Sequence, residues 1–499
     1  MSASGLSTAR GIWRRRRERS GGDRAYASYA CLLIALIVVL PLGRALWIAA
    51  SGPSGIAVLT AGNAPSAVSA FVAALWGAAL VVGRKRGPAL LPPFLLHALT
   101  SSGLRRAVTL RRPLLLSATG VVAACAGSAA LIGGAVLSGG HAGIGMVLAF
   151  VAAGVAAGVV STVLWLLGQV FPHVALPLAL AVWGLAALCL SMPQMLAFTP
   201  WGWAGASYPL PGSDPRSVAG LTVLAAASIG VAPALLDRLT GAQLGRQAAQ
   251  WERAAVFSFS LDVRAAASVY EDEPRVGRKL RAVWPSRHLW ITFFLRDTVG
   301  QARTPTRLLG AVAAMITAGS AMTLSLLPGA PGTFLAGIAG IVVYGGAGPL
   351  AKGLLHAASV AGDSPLYGIS DRRLVLLHAL FPLVALIVLL STSAALLAHA
   401  IGAPLGAAIF AAVVAGVLAL ALRLASALKG PLPPSLLTPI SSPAGDPSIL
   451  LQLGWALSDP LIAIAGALTV SLLPVTPVPL GSLVVWVAGL ILLRWKNRR

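Results

Sequence analysis

Residues 87–113 read GPALLPPFLLHALTSSGLRRAVTLRRP, and residues 348–374 read GPLAKGLLHAASVAGDSPLYGISDRRL. Gly87-Pro88 and Gly348-Pro349 lie 261 positions apart, as do Arg111-Arg112 and Arg372-Arg373. Between these anchors Leu95-Leu96-His97-Ala98 answers Leu354-Leu355-His356-Ala357 at a spacing of 259. Each copy holds a short helix-capable stretch, then turn residues, then a paired arginine directly before an apolar run. A loop written twice in this way points to a chain built by duplication, and the apolar runs on either side decide what was duplicated.

The chain has 499 residues, of which 57% are hydrophobic and only 10% charged, with a mean hydropathy of +0.85. A soluble domain carries about 25% charged residues. Apolar runs of the length that crosses a bilayer recur throughout, so the fold class is all-α, a polytopic integral membrane protein. The net charge of +23 does not imply nucleic-acid binding, because the basic residues cluster in the gaps between apolar runs, where membrane orientation requires them. The three cysteines, Cys31, Cys125 and Cys189, fall inside apolar runs and match no metal spacing.

Spans are expected near 26–48, 65–83, 113–137, 143–168, 174–197 and 218–236, and again near 307–327, 334–351, 374–400, 405–426, 448–472 and 479–494. The run after Arg14 to Arg17 is too long for a cleaved signal and reads as a first span. Twelve spans form two parallel six-helix repeats, 1–236 and 307–499, joined by a polar linker over 237–306. With the N-terminus cytoplasmic, only Arg44 and Arg216 of the basic residues fall on the outer side. The positive-inside rule therefore places both termini and both copies of the loop inside, in the cytoplasmic membrane.

The linker carries Glu271-Asp272-Glu273, read as a solvated charge run, then a basic run through Arg275, Arg278, Lys279 and Arg281. Before span seven, Leu289, Trp290, Phe293 and Phe294 share one helical face while Arg296, Asp297 and Gln301 take another, which describes an amphipathic helix at the interface. The outer segment 198–217, FTPWGWAGASYPLPGSDPRS, reads equally as a short re-entrant element or as an aromatic belt. Small residues at Gly154 and Gly158 suit close helix packing.

A six-span unit with an amphipathic connector before its first span and a polar helix between its second and third resembles the membrane subunit of ABC-2 type exporters. The resemblance implies that the loops near 93–106 and 354–368 are coupling helices that dock on an ATPase, with the connector at about His288 to Arg303. On that basis His97, Arg105, Arg106, His356, Asp363, Arg296 and Asp297 become candidates for ATPase coupling. It implies an exporter permease for an unidentified substrate, partnered by a cytoplasmic ABC ATPase dimer and the lipid bilayer, with ATP used by the partner.

None of the five lysines follows a glycine, so the chain has no phosphate-binding loop of its own. HExxH, GxSxG and zinc spacings are absent, and the acids and histidines of the outer loops, Asp214 and His141, stand alone. The sequence thus implies no enzyme activity, no metal, no cofactor in this chain and no nucleic acid. The alternative is a secondary transporter of the major facilitator type, whose loop after span two is shorter and carries an aspartate that GRKRGP at 83–88 lacks. Asp459, in GWALSDPLIA, is the intramembrane polar candidate; it reads either as a cap for a helix restarted at Pro460 or as part of a transport path.

Overall fold

The computed structural model describes residues 25, 28–29, 32–33 and 35–497, apart from 101–102, 260–262, 272–275, 278, 285, 329, 331, 363–367, 431, 437, 439–447 and 473–477. Among these residues all regular structure is helical. Lipid offers no partner to a free backbone N–H or C=O, so an apolar run that crosses it must satisfy those groups within itself, as a helix does. Eleven helices are long and apolar enough to span, and a bent pair gives a twelfth. The protein is a multi-pass helical membrane protein.

The chain forms two compact units, Met1–Val256 and Phe257–Arg499. The first holds α1 (Leu40–Ser51), α2 (Pro53–Leu59), α3 (Ala64–Lys85), the short α4 (Pro93–Thr100) and α5 (Arg106–Thr109), then α6 (Arg111–Ser138), α7 (Ile144–Val170), α8 (Pro172–Ser191), the short α9 (Pro200–Ala206), α10 (Pro215–Arg238) and α11 (Gly241–Phe259). The second holds α12 (Val263–Ser268), α13 (Leu289–Ala302), α14 (Pro305–Ser325), α15 (Gly332–Leu350), α16 (Lys352–Ser359), α17 (Asp371–Ile401), α18 (Leu405–Leu428), α19 (Ser448–Ser471) and α20 (Val478–Lys496). The linker is thus shared out, α11 continuing the first unit and α13 opening the second.

Helix starts follow the chemistry of the sequence. Proline occupies the first turn of α3, α8, α10 and α14, where its missing N–H costs nothing. Asp214 caps α10 by accepting from the Arg216 N–H at 3.0 Å. At the far end of α17, Gly402 takes a left-handed φ of 69° and stops the helix.

The two units share most of a neighbour map, to which the second adds close packing of its first span on its second. The third span packs on the fourth, the second on the fourth and fifth, the fourth on the fifth and sixth, and the first on the third. In chain order these are α3, α6, α7, α8 and α10 in the first unit, preceded by the α1–α2 pair, and α14, α15, α17, α18, α19 and α20 in the second. The first-unit opening differs from expectation. Beyond the expected span 26–48, α2 follows α1 at an angle of 72°, because Pro53 supplies no N–H to carry the helix past Gly52. A single residue, Phe171, separates α7 from α8.

Small residues set the approach of the spans. Gly168 and Gly83 bring α7 and α3 backbone to backbone, Gly168 against Leu80 and Gly83 against Trp165 and Gln169. Gly154 and Gly158 face α6: a Cβ on the first would reach the Cys125 carbonyl oxygen at 3.1 Å, and one on the second the Val122 Cα at 2.9 Å. In the second unit Gly346 faces Ala314 and Met315 of α14, so the first and second spans pack closely there.

Candidate functional site

The buried amide, carboxylate and imidazole side chains of each unit lie at the basic ends of its spans. The helices of the duplicated loop, α4 and α16, repeat a single design. Leu95 and Leu96 are buried while His97 is exposed, and Leu354 and Leu355 are buried while His356 is exposed. Three residues on, a hydroxyl closes the helix by donating to the histidine carbonyl, Thr100 to His97 at 3.1 Å and Ser359 to His356 at 2.8 Å. The Gly-Pro start has its own cause. A Cβ on Gly87 would overlap the Gln169 side chain of α7, and one on Gly348 would meet the Arg423 guanidinium of α18 at 3.0 Å. The paired arginines at both anchors, Arg111-Arg112 and Arg372-Arg373, are exposed in the first turn of a span.

The last carbonyls of a helix have no partner within it, and in both units a glutamine serves those of the second span. Gln301 on α13 donates to the Pro349 carbonyl at 2.6 Å and to that of Leu350 at 3.4 Å. In the first unit Gln247 on α11 donates to Gly83 and Arg84 at 3.2 and 3.3 Å. Gln169 donates to Gln247 at 2.9 Å and accepts from the Ala89 N–H at 3.4 Å; Gln243 donates to the Gln169 carbonyl. Helix α11 therefore does for the first unit what the connector α13 does for the second. The sequence signal for it was present: Gln243 and Gln247 lie one turn apart beside Leu244 and Ala248, which are buried.

Helix α13 covers almost the range expected for the connector, but its faces differ from expectation. Phe293, Asp297 and Gln301, at successive i+4 positions, all turn inward. Phe294 meets Phe381 of α17 edge-on with centroids 5.8 Å apart, whereas Trp290 is exposed. The inward Asp297 and the amide N–H of Gln301 are tolerated because each finds a partner. Asp297 accepts from or donates to His378 Nδ1 at 2.7 Å according to their protonation, and both side chains are buried. Gly353 of α16 completes this junction, since a Cβ there would lie 2.5 Å from both Asp297 Oδ1 and His378 Nδ1. Arg296 lies beside it with its guanidinium 6.0 Å from the Phe293 ring centre.

In the first unit the equivalent clamp uses other residues. Arg105 donates to Asp237 at the end of α10 at 2.7 Å, and Asp237 also accepts from the Ala107 N–H at 2.8 Å. Arg106 opens α5 and is half-buried. Asp363 lies outside the described residues. Glu271 is not merely solvated, for it pairs with Lys352 of α16 and with Arg307 at 3.4 Å.

Asp459 does not cap a restarted helix, because α19 runs unbroken through Pro460. It is buried at 1% exposure and held by Arg494 at 3.0 Å and Lys429 at 3.4 Å, both reaching in from the ends of neighbouring spans. Lys429 also donates to Ser458 at 2.8 Å, and Arg494 to the Ala425 carbonyl at 2.8 Å. With partners on both neighbouring spans, Asp459 fastens three helices together.

At the other end of the first unit, the aromatic segment packs into the bundle. Trp201 of α9 meets Trp76 of α3 edge-on at 6.4 Å, and Gly205 lies against Ser69 and Pro65. Tyr208 donates to the Leu59 carbonyl at 2.8 Å, and burial pushes its hydroxyl up to about 12, so it stays a neutral donor. The segment is thus an inward-packed element.

Among the described residues no group of three or more His, Cys, Asp or Glu side chains comes together as a metal site. Comparison with protein-family models, with curated proteins and with solved structures finds no match to this chain.

Proposed function

We propose that this protein is the permease of an ABC-2 type exporter, moving an unidentified substrate across the cytoplasmic membrane on energy from a separate ATPase dimer. The observation that carries this reading is the repeated loop helix. Helices α4 and α16 each sink a leucine pair into their own unit and turn one histidine outward. Two equivalent outward-facing helices are what a dimeric motor would need. The distribution of basic residues supports a cytoplasmic position for these loops and for both termini.

In this reading, force on α16 passes at Gly353 to the Asp297–His378 pair. From there it moves α13 and α17, and through Thr304 the first span of the unit, α14. In the first unit a push on α4 passes through Arg105 and Asp237 to α10, while Gln169 and Gln247 tie the loop to α3, α7 and α11.

The test is affinity purification of the tagged protein from its own membranes in mild detergent. The expected companion is a soluble ATPase in roughly stoichiometric amount, lost when 93–106 and 354–368 are exchanged for Gly-Ser linkers. The double variant Arg296→Ala with Asp297→Ala should insert normally but lose transport or ATPase assembly. A chain that purifies without any nucleotide-hydrolysing partner would overturn the reading in favour of a secondary transporter.

A further inference from the structure

We propose that the segment from Val276 to Trp290 is a surface anchor that recognises anionic phosphate headgroups of the bilayer. Its composition is one-sided. Val276, Leu280, Val283, Trp284 and Trp290 are all more than half exposed, although they belong to no membrane span. Between them Lys279, Arg281 and Arg287 are also exposed. No acidic residue occurs in the sequence between Glu273 and Asp297, and Asp297 is buried against His378.

The segment is folded onto the connector by two side chains. Arg303 donates to the Leu280 carbonyl at 2.6 Å, and Thr292 donates to the Trp284 carbonyl at 3.2 Å. Trp284 in turn donates to the Arg281 carbonyl at 3.1 Å. Arg303 stands two residues before α14, the first span of the second unit. A guanidinium that close to a membrane entrance holds Leu280 at the bilayer surface.

That position chooses the occupant. Large apolar side chains at a membrane boundary enter the headgroup region, with tryptophan favoured there. Interleaved cations without acids add attraction to a negatively charged leaflet, each basic residue near such a surface giving about a fivefold preference. A soluble protein or a nucleic acid could also be attracted to the charges, but neither accounts for an arm fastened beside the start of a span.

The test uses the full chain, labelled with an environment-sensitive fluorophore on Val283→Cys in a Cys31→Ala, Cys125→Ala, Cys189→Ala background. It is placed in nanodiscs of phosphatidylcholine alone, or with roughly a quarter phosphatidylglycerol to supply the negative surface. The expected result is blue-shifted emission and about fivefold weaker quenching by iodide in the anionic discs. Adding salt to about 1 M, which shortens the screening length to about 3 Å, should remove the difference. The variant Lys279→Glu, Arg281→Glu, Arg287→Glu should lose it at low salt. Equal shielding in both lipids, shielding that survives the charge reversal, or shielding that appears only on adding a soluble protein or RNA would each overturn the proposal. The ATPase is absent throughout, so the outcome is independent of the exporter reading.

Discussion

The two units solve the same problem at their basic ends with different chemistry. In the first, the end of the second span is served by the neutral amide of Gln247, which Gln169 supports in turn. In the second, Gln301 is joined by a guanidinium, Arg423, which donates to the Tyr344 carbonyl at 2.8 Å and stacks on its ring. Asp459 with Arg494 and Lys429 adds an ionic cluster whose like is absent from the described part of the first unit. The cores differ too. One continuous cluster fills the second unit, whereas the first is divided into several, around α9 at one end and the loop at the other. What the units share is most of the helix neighbour map, the glycine at the end of the second span and the buried leucine pair. The lesson is that a duplicated membrane fold is held by close approach and by the need to satisfy helix-end carbonyls, while the polar group that does the satisfying is free to change.

The largest difference should appear when the ionic cluster is broken. Asp459→Ala leaves two cations buried without their anion and should destabilise the second unit by on the order of 3–5 kcal/mol. Gln169→Ala, which removes neutral hydrogen bonds, should cost only about 1–3 kcal/mol. Thermal unfolding in detergent, followed by size-exclusion recovery, compares the two. Replacing the whole cluster, with Asp459→Leu, Lys429→Met and Arg494→Met, should recover most of the loss. If the triple variant is no better than the single one, the contrast between charge and amide collapses.

A smaller effect separates the glycines. Gly168→Ala drives a methyl into the Leu80 backbone, which cannot withdraw, and should cost about 1–3 kcal/mol. Gly348→Ala meets only the movable tip of Arg423 and should be tolerated far better in the same unfolding assay. Equal losses would mean that the second unit is packed as tightly at this point as the first. The smallest effect is expected for Asp237→Asn, because Arg105 is largely exposed and the pair is screened by water. The loss should stay under about 1 kcal/mol, yet hydrogen exchange should rise at the Ala107 N–H, which loses a charged acceptor. Asp297→Asn should loosen α13 and the start of α17 more, since its partner His378 is buried.

Much of the fold was legible because spans are written in local composition. The ends expected for eleven spans differ from the observed helices by a few residues, the fifth by six at its far end, as when 113–137 becomes Arg111–Ser138 and 405–426 becomes Leu405–Leu428. Helix α2 was not foreseen, because the run read as the opening span stops short of Pro53. The loop was legible as a repetition, and its leucines and histidines sit in equivalent environments. The partners of the loop were not. Arg105 meets Asp237 across 132 residues and Asp297 meets His378 across 81; pairing at such distances leaves no periodicity to read. Asp459 was visible as an isolated acid, but its meaning depends on two cations that reach it from other helices.

Phe171 has a consequence for motion. With one residue between them, α7 and α8 cannot draw apart at that end. The corresponding helices of the second unit, α18 and α19, are separated by residues 429–447, and it is Asp459 that fastens α19 to the ends of α18 and α20. At this point one half of the protein relies on a single residue of chain; the other adds ionic contacts to its packing across a long connection.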